Sequence, residues 1–197
     1  MKLIYKGKYT GEVEVFESAK NVKNAVKYEE ASNPDELLKA ISIPATILQI
    51  VLIAIIVVLS INEIFSYDFF FQFILAFLVS LLLLVPHEFL HAICFKKKVY
   101  LYTNLKQLML FVVGEDHLTK FGFIFMSLLP NIIFGLIPFV IYLFNTDWIF
   151  LGMLGAFCIP CGMGDYYNVY NTIKQVPKGG RIFMKAFNSY WYLDEKK

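Results

Sequence analysis

Hydrophobic and polar residues fall into long blocks along this chain. Residues 1–42 are polar and charged, apolar stretches follow at about 43–65, 69–95, 121–144 and 148–167, and polar composition returns over 171–197. At 1.5 Å per helical residue, each apolar stretch is long enough to cross a hydrocarbon core of ~30 Å. The pattern predicts an α-helical integral membrane protein with four transmembrane helices. An N-terminal segment (1–42) precedes the membrane domain (43–170), and a C-terminal segment (171–197) follows it.

Shorter signals refine the blocks. In Ser32-Asn33-Pro34-Asp35-Glu36, Asn33 can cap, Pro34 suits the first helical position and Glu36 completes a capping-box pattern, so a helix starts there. Leu3–Tyr5 and Val13–Phe16 predict a short hairpin. Between the second and third stretches, Val99, Leu101, Leu108, Leu110 and Val112 alternate with period two. Lys106, Gln107 and Glu115 interrupt that segment, so residues 99–120 read as strands or a re-entrant hairpin rather than a further span. Pro177-Lys178-Gly179-Gly180 marks a turn ahead of an aromatic ending, Phe187–Leu193, and predicts a small strand pair on the membrane face.

Composition agrees with the blocks. A hydrophobic content of 58% and mean hydropathy of +0.59 exclude an ordinary soluble domain. The net charge of +2 gives no reason to expect a nucleic-acid partner. Its distribution is more informative: of 18 lysines and arginines, seven lie in 1–42, five in 96–120 and six in 174–197, with none in 61–68 or 145–147. The positive-inside rule then puts both termini, the middle loop and the small β elements on the cytoplasmic side. The first forty residues hold no short apolar core with a small-residue cleavage site, so no cleavable signal peptide is expected. Cys94, Cys158 and Cys161 lie in or beside apolar runs, where cysteine acts as a small hydrophobe.

Against this background His87-Glu88-Phe89-Leu90-His91 stands out, because ionisable groups inside a span are costly and usually face a partner, a cavity or a metal. His87 and His91, four apart on a helix, point the same way and can grip one Zn2+, and Glu88 is then a candidate general base. Pro86 can bend the helix just before the motif. With the predicted topology the motif lies near the cytoplasmic end of its span, His91 being five residues, or ~7.5 Å, before Lys96. The fourth span also runs inward and carries Asp165 at a similar depth, nine positions before Lys174. Asp165 is therefore the expected third ligand. Glu115, Asp116 and His117 are the alternatives, Glu115 lying 24 residues after His91, but a solvated loop accommodates them without cost and His117 reads as a surface histidine.

Cys158 and Cys161 share a helix face with Asp165 and read as packing, with accessory ligation or a redox pair as the other possibility. Asn168 and Asn171 continue that face and can hydrogen-bond the carboxylate. Asn131, directly after Pro130, can hold a substrate strand or satisfy a carbonyl freed by the proline. The glycines of the fourth span read as close helix packing.

Together, His87-Glu88-Phe89-Leu90-His91, Pro130, Gly164-Asp165 and the following Gln175-Val176-Pro177-Lys178 resemble the putative zincin peptidases, small multi-pass bacterial membrane proteins. The resemblance spans about residues 70–197 and implies a zinc peptidase in a bacterial cell membrane. More distantly, the chain is similar to the site-2 intramembrane proteases, in which an HExxH on one membrane helix and an aspartate on a later one bind zinc. This chain departs from their asparagine–proline and aspartate–glycine pattern, since Pro130 precedes Asn131 and Tyr166 follows Asp165.

The sequence thus points to a zinc metallopeptidase in the bilayer. His87, His91 and Asp165 would hold the metal, Glu88 would act as base, and residues 99–116 would form a strand that pairs with a peptide or membrane-protein substrate. The alternative is a non-proteolytic zinc-binding membrane protein, a regulator or assembly factor with a structural metal.

Overall fold

The computed structural model describes residues 1–10, 16–20, 22–107, 109–185 and 187–194. Strand β1 (Lys2–Lys8), the turn of helix α1 (Glu17–Lys20) and the short β2 (Val26–Lys27) precede the first long helix, α2 (Pro34–Leu59). The expected helix start is closed reciprocally: Asn33 Oδ1 accepts the Glu36 N–H at 3.0 Å, and Glu36 Oε2 accepts the Ser32 N–H at 2.8 Å. Helices α3 (Tyr67–Leu82) and α4 (Leu84–Ala92) follow, capped at the start by Ser66, whose hydroxyl accepts the Phe69 N–H. The pair bends by 40° around Leu83, beside the Leu82 carbonyl, for which Pro86 has no N–H to offer.

After α4 come β3 (Lys98–Asn104), β4 (Met109–Gly114) and β5 (Leu118–Thr119), then α5 (Lys120–Asn131), a π-helical turn (Ile132–Leu136) and α6 (Ile137–Phe144). The chain ends with α7 (Ile149–Cys161) and α8 (Met163–Gln175), bent by 52° at Gly162, and the hairpin β6 (Gly180–Lys185) and β7 (Asn188–Leu193). The predicted middle and terminal strands are thus present. The predicted N-terminal hairpin is not the pairing β1 makes: β1 runs parallel to β3, Lys2 opposite Lys98. Val13–Val15 of that hairpin, and Leu108 of the middle alternation, lie outside the described residues.

The described residues form two small sheets, one ordered β1-β3-β4 and the other β2-β7-β6-β5. Among the helices, Ile56, Ala76, Tyr142, Met153 and Ala156 form one core. A second, with Ala92, Phe95, Val99, Phe123 and Ile182, joins α4 and α5 to the sheets. Outward, α2 and α3 expose Ile43, Ile47, Ile50, Val58, Phe70 and Leu78, an apolar surface of the kind that lipid covers. Among the described residues two helical stretches, Pro34–Leu59 and Lys120–Phe144, are individually long and apolar enough to cross a membrane; the number reaches four if each bent pair is one span.

Candidate metal centre

The HExxH motif occupies α4, the short helix after the bend, which packs against both α5 and β4. Helical spacing brings the rings of His87 and His91 to 4.8 Å between centroids. Ligand atoms of His87, Glu88 and His91 lie within 4.8 Å of one another. Asp165 meets them from the first turn of α8: its Oδ2 is 3.2 Å from His87 Nε2 and its Oδ1 is 3.2 Å from His91 Nε2. The α7/α8 bend swings Asp165 into this position.

The partners of the imidazoles fix their protons. His91 Nδ1 is 2.8 Å from the carbonyl oxygen of Met126, which can only accept, so Nδ1 carries the hydrogen and Nε2 turns to Asp165. A carboxylate cannot donate either. Each imidazole–Asp165 contact therefore needs a proton on Nε2 or a cation between the two groups. Zinc bonds to nitrogen and oxygen of about 2.0–2.2 Å, at tetrahedral angles, separate neighbouring donors by about 3.3–3.6 Å. The observed 3.2 Å separations are close to that edge length. Two imidazoles and one carboxylate also match the donor set of a catalytic zinc site.

Asp165 is held from a third helix. Asn131, the last residue of α5, donates through Nδ2 to Asp165 Oδ2 at 2.8 Å and to the Ser127 carbonyl at 3.2 Å. The expectation that Asn168 or Asn171 would bind this carboxylate is not what the contacts show. Asn171 Oδ1 instead accepts from Gln175 Nε2, whose side chain also bonds both backbone groups of Glu29. Glu88, on the other side of the motif, faces the backbone N–H of Val112 in β4.

The alternative ligands serve other ends. Asp116 Oδ2 accepts the backbone N–H groups of Lys96 and Lys97 and caps the turn after α4. His117, expected at the surface, is half-buried with both nitrogens engaged: Tyr192 Oη lies 2.9 Å from Nδ1, and the Ser18 carbonyl lies 3.1 Å from Nε2. Glu115 contributes its backbone, N–H to the Lys98 carbonyl and C=O to the Ser18 hydroxyl. None of the three is among the described residues that line the cavity over the motif.

That cavity measures about 390 Å3 and takes in His87, Glu88, His91 and Asp165. Leu38, Ile41 and Ala45 of α2 form one wall, Leu110 and Val112 of β4 another, and Met184 and Phe187 lie toward the second sheet. Cys161 also reaches it, whereas Cys158 is buried in the helical core. The sequence marked the motif and Asp165, but gave no sign of the Met126 carbonyl or the Val112 N–H, because backbone groups carry no residue signature. Asn131 was visible as a polar residue in an apolar run, without its partner.

Helices fit to cross a membrane, two histidines and a glutamate on the short α4, and an aspartate facing both imidazoles define a helical membrane protein with the donor set of a zinc metallopeptidase. Residues 80–180, slightly more than half of the chain, match the model of the family described as Putative zincin peptidase, and the chain belongs to that family. Comparison with curated proteins and with solved structures finds no match.

Proposed function

We propose that the protein is a membrane-embedded zinc metallopeptidase that hydrolyses peptide bonds near the cytoplasmic membrane face. Each bent helix pair counts as one span, giving four, with both termini and both sheets in the cytoplasm. The observation that carries the reading is the convergence of His87 Nε2 and His91 Nε2 on the two oxygens of Asp165, 3.2 Å each, on the wall of a cavity that also holds Glu88.

His87, His91 and Asp165 are the proposed ligands. When bound, zinc supplies Lewis-acid polarisation of the scissile carbonyl and lowers the pKa of water toward ~7. Glu88 takes a proton from the water that attacks the carbonyl carbon, and returns it to the leaving nitrogen as the C–N bond breaks. The substrate lies extended beside β4. That strand is an edge of its sheet, and the Val112 N–H points away from β3 toward Glu88. Since strand residues alternate in the direction of their backbone groups, Leu110 offers its N–H and C=O to the same free edge. A peptide added there is held extended, as cleavage requires, with its side chains in an apolar cavity.

The test is Glu88→Gln, purified in detergent and assayed on a peptide library. Zinc content stays at the wild-type level while cleavage falls by about 10²–10⁴-fold, the usual worth of a general base. Cleavage at the wild-type rate by that variant overturns the mechanism.

A further inference from the structure

Asn131 stands where three helices meet, and its surroundings determine how its amide is turned. Two acceptors, Asp165 Oδ2 and the Ser127 carbonyl oxygen, lie on one side of it, so the NH2 group must face them. The opposite orientation would set oxygen against oxygen. Its Oδ1 then points at the α7/α8 bend and, buried, has no hydrogen-bond partner among the described residues. Burying a polar atom unpaired costs free energy, so this arrangement is retained for what the NH2 group does.

The bend is shaped around the amide. A Cβ placed on Gly162 would come within 1.6 Å of Asn131 Oδ1, so no side chain fits there while Asn131 keeps its place. Asn131 also immediately precedes the π-helical turn Ile132–Leu136, a distortion of a kind frequent at functional sites.

We infer that Asn131 is a positioning residue: wedged against Gly162, it donates to Oδ2 of Asp165 and holds the carboxylate with Oδ2 turned to His87 and Oδ1 to His91, the orientation in which it can share a metal with both imidazoles. The inference rests on the metal reading proposed above. Partners that orient a metal's ligands in this way are commonly worth 10–100-fold in affinity.

The test measures zinc affinity of the full-length, detergent-purified protein by competition with a chromophoric chelator, together with the visible spectrum of the cobalt(II)-loaded form. Asn131→Leu removes the donor at similar volume. Gly162→Ala displaces the amide while leaving Asn131 in the sequence. Gly152→Ala, which disturbs helix packing against Tyr142, is the control for general destabilisation. The expected result is a loss of about 10–100-fold in zinc affinity and a changed cobalt spectrum in the first two variants, with neither change in the control. Asn131→Leu with wild-type affinity and spectrum overturns the inference, as does a control that loses as much affinity as Asn131→Leu. If Asn131→Leu does not fold, Gly162→Ala decides on the same criteria. A folded wild type that binds zinc no better than His87→Ala overturns the metal reading itself, and the role of Asn131 with it.

Discussion

His91 Nδ1 sits 2.8 Å from the carbonyl oxygen of Met126, five residues before Asn131 completes α5. Helix α5 thus holds both sides of the candidate centre, one imidazole through a backbone carbonyl and the Asp165 carboxylate through a side-chain amide. The carbonyl commits the ring hydrogen to Nδ1, so Nε2 has a lone pair for a metal without any change of tautomer.

Metal content should follow from that arrangement. His91→Ala and Asp165→Ala each remove a donor, and zinc measured by mass spectrometry on the detergent-purified protein should fall to background in both. Glu115→Ala should load like wild type, because Glu115 is not among the residues lining the cavity. Full loading of Asp165→Ala with loss in Glu115→Ala would identify the wrong carboxylate.

His117 makes a separate prediction about pH. Burial is the main influence holding its pKa below 6.5, and the charges of Lys97 and Arg181 act the same way against the Ser18 hydrogen bond. A histidine with a lowered folded-state pKa contributes stability that is complete above 6.5 and is lost as pH falls through the folded value. Glu30 works in the opposite sense. Burial raises its carboxyl from 4.5 to about 6, so its contribution is complete below 4.5 and is lost as pH rises through about 6. Comparing wild type with His117→Phe cancels the Glu30 contribution and keeps an aromatic ring over Phe183. The gap in apparent Tm between the two proteins should narrow from about pH 7.5 to about 5.5. A constant gap would show that His117 does not titrate differently on folding.

Packing among the helices can be tested at Gly152. A methyl group there would lie 2.6 Å from the ring of Tyr142, which is fully buried and hydrogen-bonded to Ser60 at 2.8 Å. With the ring fixed at both its face and its hydroxyl, the neighbours have little room to yield. Gly152→Ala should cost about 1–3 kcal/mol, as overpacking does, seen as a lower apparent Tm in detergent. An unchanged Tm would mean that α6 and α7 can separate without cost.

Block hydrophobicity made the helices legible, and a capping box made the start of α2 legible to the residue. The motif and Asp165 could be read because ionisable groups are conspicuous in apolar runs. Bends were less visible. Pro86 announced the first, but the second depends on Gly162 yielding to Asn131, a contact between residues 31 positions apart that neither residue's own neighbourhood reveals. Pairing of β1 with β3 was equally hidden, since a parallel partner 96 residues away leaves no local turn signal, unlike a hairpin. His117 looked like a surface residue because its loop is polar. Its burial comes from Phe183 and Tyr192, which the chain supplies more than sixty residues later.

The free edge of β4 offers a test of how substrate is held. Val112 turns its N–H toward Glu88, so by alternation Leu110 also directs its N–H outward, while Phe111, opposite Tyr102, directs its own toward β3. Proline at an edge position removes an outward donor without breaking the ladder. Leu110→Pro should therefore keep the sheet and the apparent Tm, yet lower kcat/KM on a peptide substrate roughly two- to tenfold, the ~0.5–1.5 kcal/mol of one hydrogen bond. Phe111→Pro breaks a β3–β4 bond and should lower the Tm as well. If Leu110→Pro cleaves as well as wild type while Phe111→Pro unfolds the sheet, the strand shapes the cavity but does not pair with the substrate.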